Sequence, residues 1–179
     1  MKHLNPDKAA IPRLPRAETI TLMSCALVQP LLRRVVRQIA TRHPNLFERL
    51  GSYRTIDYLI DPIDFPFALH LRPDPLEPLL RAVSRDVTPD AGATIRGRFL
   101  TLLRLLDSSE DGDAAFFSRD LEVSGDTEAI VRLRNALDDL DGSIAEEVAN
   151  MFGPPGRAIL GRLRQMYLRR HSAEKLAQA

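Results

Sequence analysis

The period of the apolar positions changes several times along this chain, and each change marks an element. From Ala17 onward, Ile20, Met23, Leu27 and Leu31 recur on one helical face, with Leu22 and Ala26 beside them. Pro30 should kink this helix or split it in two, because proline lacks the amide and crowds the preceding turn. After it, Leu31, Leu32, Val35, Val36 and Ile39 form a stripe opposed by Arg33, Arg34 and Arg37. His43-Pro44 ends that helix; Asn45 can cap a short one through Leu50, where Gly51 stops it. The period then drops to two. Ile56, Tyr58 and Ile60 alternate with Thr55, Asp57, Leu59 and Asp61. After an Asp61-Pro62 turn, Phe65, Phe67, Leu69 and Leu71 alternate with Pro66, Ala68, His70 and Arg72, and Pro66 sets the start at a strand end or sheet edge. Leu79 to Arg85 suits a third strand or a helical turn, and Ala93 to Arg96 a short fourth strand.

Gly97 to Asp107 is apolar almost all round. Phe99, Leu100, Leu102, Leu103, Leu105 and Leu106 leave only Arg98, Thr101 and Arg104 as a polar stripe. Such a helix must be buried on more than one side: either it is central core, or one side meets the sheet and another lines a cavity. Beyond an acidic loop, Phe117, Arg119, Leu121 and Val123 alternate with Ser118, Asp120, Glu122 and Ser124, a further strand that Ser124-Gly125 breaks. Asp126 is placed to cap a helix whose stripe is Ile130, Leu133, Leu137 and Leu140, with Glu128/Arg132 and Arg134/Asp138 as charge pairs on its outer side. Ser143 and Glu146 form a capping box for Ile144 to Phe152. Gly153-Pro-Pro-Gly156 is a boundary, and beyond it Ile159, Leu160, Leu163, Met166 and Tyr167 face one way on a helix rich in arginine.

These elements predict an α+β fold, a mainly antiparallel sheet of about five strands covered by helices, with helices at both ends. The divisions are a flexible leader at 1–16, N-terminal helices at 17–50, the principal domain at 51–152 and a basic C-terminal helix at 153–179. A length of 179 residues suits one domain with appendages, and 44% hydrophobic with 27% charged residues suits a soluble globular chain. The net charge of +1 makes bulk attraction to nucleic acid a poor default, although Lys2 to Arg54 is basic and Asp107 to Glu147 acidic. Thr19 to Leu32 carries no charge, but it is shorter than the roughly 20 apolar residues of a membrane span and is interrupted by Pro30. No convincing cleavage site follows it, so a cytoplasmic location is expected, at most peripheral to the inner membrane.

Chemistry-bearing patterns are sparse. The single Cys25 excludes an intramolecular disulfide and a multi-cysteine metal site, and inside an apolar helix it reads as packing. Asp107 to Gly112 looks superficially like a calcium loop, yet its twelfth position is Ser118 where a bidentate glutamate is needed. His3, His43, His70 and His171 lack metal-ligand spacing, and His70 falls on the polar side of its strand, where an exposed imidazole is expected. Asp57, Asp61 and Asp64 gather near strand ends, as turn residues commonly do. No phosphate loop, nucleophile elbow or dinucleotide fingerprint occurs. No catalytic residue, metal ligand or cofactor is assigned.

The run FFSRDLEVSGDTEAIVRLRNALDDLD, Phe116 to Asp141, resembles the C-terminal half of the sterol-carrier-protein (SCP2-type) lipid-binding domain, and a looser likeness reaches back to about Phe47. It carries a Phe pair, a mixed strand, a Gly-Asp-Thr-Glu turn and an apolar helix with a paired-acid end. Within that superfamily it is most similar to the accessory factors of anaerobic ubiquinone biosynthesis of the UbiT type. The resemblance implies a non-enzymatic protein that holds prenylated ubiquinone precursors or phospholipids and works with UbiU/UbiV-type iron–sulfur hydroxylation proteins. It also implies that the lipid is lined by Ile56, Tyr58, Phe67, Leu69, Phe99, Leu100, Leu103, Leu106, Phe116 and Phe117. On the C-terminal helix, Arg157, Arg162, Arg164, Arg169 and Arg170 either sit in water on a docked helix or attach the protein to an anionic membrane surface. Two other functions fit the same fold: an enzyme, if an acid–base pair lines the pocket, and a lipid-free interaction module, if side chains fill it.

Overall fold

The computed structural model describes residues 16–87, 89–105, 121–140 and 143–177. The proline-rich leader, the acidic loop from Asp107 with its calcium-like pattern, Leu106 and the Phe116-Phe117 pair lie outside them. Helix α1 runs unbroken from Arg16 to Arg42 with Pro30 inside it, so the proline does not split it as expected. The reason is placement. Pro30 and Ala26, whose carbonyl loses its amide partner, both face solvent, where water can serve that carbonyl. Helix α2 spans Pro44–Leu50 with His43, not Asn45, at its cap, because Pro44 occupies a first-turn position where a missing amide costs nothing.

Five strands follow the expected alternation with shifted ends: β1 Tyr58–Pro62, β2 Ala68–Arg72, β3 Leu79–Val83, β4 Ala93–Gly97 and β5 Leu121–Gly125. β1 starts late because Gly51–Thr55 forms a 3-10 turn instead of extended chain. β2 starts at Ala68, not Phe65: Pro66 has no amide for the ladder, and Asp64 is drawn to the next helix, where its Oδ1 accepts from Phe99 N at 2.8 Å. β3 is a strand, and it gives way to a 3-10 turn at Arg85–Val87. β5 does not stop before Gly125. That residue stays in register opposite Ala93 at φ 78°, and a Cβ there would lie 2.4 Å from the Gly92 carbonyl oxygen. The order is β3-β2-β1-β4-β5; only β1 and β4 are parallel, so the sheet is mixed and mainly antiparallel.

Helix α3, Phe99–Arg104, is shorter than the apolar run that suggested it. α4, Thr127–Asp138, is capped by Asp126, whose carboxylate accepts from Ala129 N at 3.1 Å. α5, Ile144–Met151, is capped by Ser143, and α6, Gly153–Ala177, begins at once, so Gly153-Pro-Pro-Gly156 is the first turn of a helix. Both expected charge pairs form on α4, Arg132 with Glu128 at 3.4 Å and Arg134 with Asp138 at 3.2 Å. The main core joins Leu46 and Leu50 of α2, Tyr58, Ala93 and Ile95 of the sheet, Leu102 of α3, and Ala129, Ile130, Leu133 and Ala136 of α4. A smaller cluster of Ala145, Ala149 and Leu160 holds α5 to α6, with Leu103 against it.

Candidate functional site

Cross-strand pairing sorts the sheet into two faces. Tyr58, Ile60, Leu69, Leu71, Leu80, Ala82, Ala93 and Ile95 share the helix side, since Tyr58 pairs with Leu71 and Ala93, and Ile60 with Leu69 and Ile95. Helices do not cover this side evenly. α1 lies along β3, and α4 lies along β4 and β5; among the described elements no helix approaches β1 or β2 as closely. Between those two helices Ile60, Leu69, Leu71 and Leu80 are only half-buried. They form an apolar floor on this side of the sheet; Ile60 and Leu71 also pack against the main core, and the half-buried surface that is left suits a lipid tail.

The residues named from the sequence fall in three places. Tyr58 is wholly buried and belongs to the filled core: its hydroxyl donates toward Tyr53 O at 3.1 Å, with Ala129 O at 3.4 Å. Burial, and then the charge of Asp126, push that hydroxyl's pKa well above its ordinary value, so it stays protonated. Ile56 packs at the margin of the same core. Phe67, Phe99 and the unassigned Phe65 form an aromatic group where β2 and α3 begin, with Phe65 and Phe99 stacked at 4.6 Å between centroids. Leu100 is buried in α3, Leu103 touches the α5–α6 cluster, and only Leu69 lies on the open floor. Leu106, Phe116 and Phe117 lie outside the described residues. Ile60, Leu71 and Leu80, which share the floor with Leu69, were not among the residues named from the sequence, although alternation marks Ile60 and Leu71.

The other sheet face is polar, and it overturns one expectation. His70 is not exposed: it is 2% accessible, packed between neighbours on both sides. Arg81 Nε donates to its Nδ1 at 3.0 Å, so the ring proton sits on Nε2 and is donated to Asp57 Oδ1. Arg72 grips the same carboxylate with two bonds, at 2.9 and 2.6 Å. Burial alone would raise the Asp57 pKa, but the hydrogen bonds from Arg72 and His70 outweigh it and hold the carboxyl below its usual range. Asp57 and Asp61 stand at opposite ends of β1, and Asp61 binds Arg85 at 2.7 Å, so the acids are spent on ion pairs. The His70–Asp57 pair is thus on the face away from the apolar floor. Cys25 is half-buried, and burial pushes its thiol pKa up.

A depressed carboxyl stabilises the fold fully above its unfolded pKa and loses that contribution as pH falls through the folded value. Asp57→Asn is therefore expected to cost about 2 kcal/mol at neutral pH. It should also flatten the loss of stability that the wild-type protein shows on acidification below about pH 4. Urea titrations across pH would show whether the two curves converge in acid.

On α6, the basic residues are not equivalent. Arg164 pairs with Glu146 of α5 at 2.9 Å, and Arg104 of α3 lies against the Tyr167 ring at 4.3 Å, so the helix is docked on the domain. Arg157, Arg162 and Arg169 face solvent, and the Arg170 side chain is outside what is described.

Comparison with known proteins adds a decisive observation: residues 36–138, more than half of the chain, match the model of the SCP-2 sterol transfer family. The chain belongs to that family. The match begins in the second half of α1 and ends with α4, so it contains the whole sheet and its apolar floor. The SCP-2 match makes this region a lipid-binding domain. Solved structures with a similar chain course include a UbiJ-SCP2 ubiquinone synthesis protein, at 19% identity and a TM-score of 0.42 over 70% of this chain and 94% of that one. Sterol Carrier Protein 2 from Yarrowia lipolytica, in its apo form, shares 10% identity at a TM-score of 0.43, covering 64% of this chain and 89% of that one. Sterol carrier protein domain 2 of Helicoverpa armigera shares 13% at 0.44, covering 65% and 91%. No curated protein matches the sequence.

Proposed function

We propose that this SCP-2 family chain is a non-catalytic carrier that holds a prenylated ubiquinone precursor, with phospholipid as a second ligand, and presents it during oxygen-independent ubiquinone biosynthesis. The observation that supports a bound lipid is the half-buried floor of Ile60, Leu69, Leu71 and Leu80 between α1 and α4. Each methylene of a prenyl tail moved there from water gains about 0.8 kcal/mol. The His70–Asp57 pair lies on the opposite face, so that acid–base pair does not reach a ligand on the floor. The UbiT-type role, the UbiU/UbiV-type iron–sulfur partners and a cytoplasmic place at the inner membrane follow from the Phe116 to Asp141 likeness. Arg157, Arg162 and Arg169 on α6 would add attraction to anionic headgroups.

Two measurements test the reading. Native mass spectrometry and solvent extraction of the purified protein should recover a prenylated phenol; recovery of no lipid would favour the interaction-module function. Deletion of the gene should lower ubiquinone in oxygen-free growth and leave the aerobic pool largely intact. An equal loss in both conditions would remove the anaerobic role and leave lipid carriage standing.

A further inference from the structure

The outward face of α1 has two unlike halves. Leu22, Met23, Leu27 and Leu31 are exposed to 53%, 69%, 82% and 41%, an apolar surface far larger than isolated surface leucines make. One turn further along the same side, Arg33, Arg34 and Arg37 are exposed, and none joins an ion pair among the described residues, whereas Arg42 at the helix end pairs with Glu147. No acidic residue occurs between Glu18 and Glu48. A groove of about 770 Å³ runs beside the basic half, lined by Pro30 and all three arginines among others.

The helix is fastened so that this face stays outward. Gln29 acts like a strand partner to the edge of the sheet: its Nε2 donates to Leu80 O at 3.4 Å, and its Oε1 accepts from Ala82 N at 3.1 Å. On the same flank Cys25, Val28 and Leu32 are half-buried. Rolling α1 to hide its leucines would break that clamp and bare the β3 edge.

We propose that this face docks on an anionic phospholipid bilayer, with Leu22, Met23 and Leu27 in the acyl boundary and Arg33, Arg34 and Arg37 on the headgroup phosphates. Guanidinium groups match phosphate oxygens bidentately, and the stretch between Glu18 and Glu48 sets no carboxylate of its own among them. A protein partner fits less well, because α1 contains no aromatic residue of the kind that anchors protein interfaces. No described helix is long and apolar enough to cross a membrane, so α1 lies on the surface with its two halves at different depths. Its apolar half precedes residue 36, where the family match begins. The inference is independent of the carrier reading, since docking needs no lipid on the floor.

The test is sedimentation of the full chain with mixed phosphatidylglycerol–phosphatidylcholine vesicles and with pure phosphatidylcholine vesicles. The wild-type protein should bind the mixed vesicles, less so as salt rises, and bind pure phosphatidylcholine weakly. Replacing Arg33, Arg34 and Arg37 together by Gln should lower partitioning on the order of a hundredfold. The Met23→Asp/Leu27→Asp pair should lower it comparably. Changing Arg157, Arg162 and Arg169 of α6 to Gln should have a several-fold smaller effect. All these positions are exposed, so unchanged thermal midpoints will show that the fold is intact. Wild-type binding by the α1 variants, or a loss confined to the α6 variant, overturns the inference. So does a Met23→Asp/Leu27→Asp protein that changes from oligomer to monomer by light scattering with vesicle binding unaltered, because the face would then join two copies of the chain.

Discussion

Gly156→Ala is expected to destabilise the protein by about 3 kcal/mol or more, although the same change in an ordinary exposed helix gains up to about 1 kcal/mol. Gly156 is buried at the end of the first turn of α6, where that helix packs against α5. A Cβ there would sit 2.1 Å from the Ala149 carbonyl oxygen and 2.9 Å from Phe152 Cβ. The first obstacle is helix backbone, which cannot turn aside as a side chain can. The two helices must separate, and the contact of Ala145, Ala149 and Leu160 with Leu103 of α3 opens with them. Gly161, five residues on in the same helix, meets nothing within 4 Å. Gly161→Ala should therefore be neutral or stabilising, and the opposite signs of the two substitutions separate helix packing from helix propensity. Chemical denaturation supplies the energies, and limited proteolysis shows whether α6 has come away. Equal effects at the two positions would mean that α6 does not pack on α5 at this distance.

Leu69→Trp is expected to empty the lipid site while leaving the domain folded. Leu69 is half-buried on the floor beside Ile60, in a part of the sheet that no described helix covers closely, so a larger ring there would take the volume next to the floor. That space is the one proposed for the ligand. Displacing two methylenes already costs about 1.6 kcal/mol of ligand burial, more than tenfold in affinity. Leu69→Ala, which enlarges the space, should keep its lipid and lose some stability. Extraction followed by lipid mass spectrometry reads the first effect, and thermal melting the second. Full lipid retention by a folded Leu69→Trp protein would move the ligand away from this floor. The corresponding change at Leu103 would not be informative, because that residue supports the α5–α6 cluster and its loss should unfold the packing there.

The local patterns of this chain identify most of its elements because each is set by near neighbours. Alternation marks β1, β2 and β5, Asp126 and Ser143 announce their helices as caps, and the acid–base pairs of α4 form between residues four apart. Ends are less legible. β2 begins three residues later than its alternation because Asp64 is taken by the α3 terminus, a partner 35 positions away. The apolar helix at 97–107 reads as buried on more than one side, and two clusters share it: Leu102 belongs to the main core, while Leu103 serves the smaller one. Of the residues named from the sequence for a lipid site, Leu69 alone stands on the half-buried floor among those the structure describes.

Sequence alone determined the alternating strands, the capped helices, the mixed α and β composition and the likeness to sterol carrier domains. All of these depend on residue type at short spacing. The tertiary structure decided what depends on partners far apart in the chain. It set β1 parallel beside β4, which leaves β3 as an edge for Gln29 of α1 to clasp. It buried His70, because Arg81 and Asp57 arrive from the two sides of its strand and satisfy both ring nitrogens. It also turned the leucines of α1 to solvent, although the same stripe in sequence reads as a face for packing. An amphipathic pattern says that a face must be covered, and only the positions of the other elements say whether the chain itself covers it.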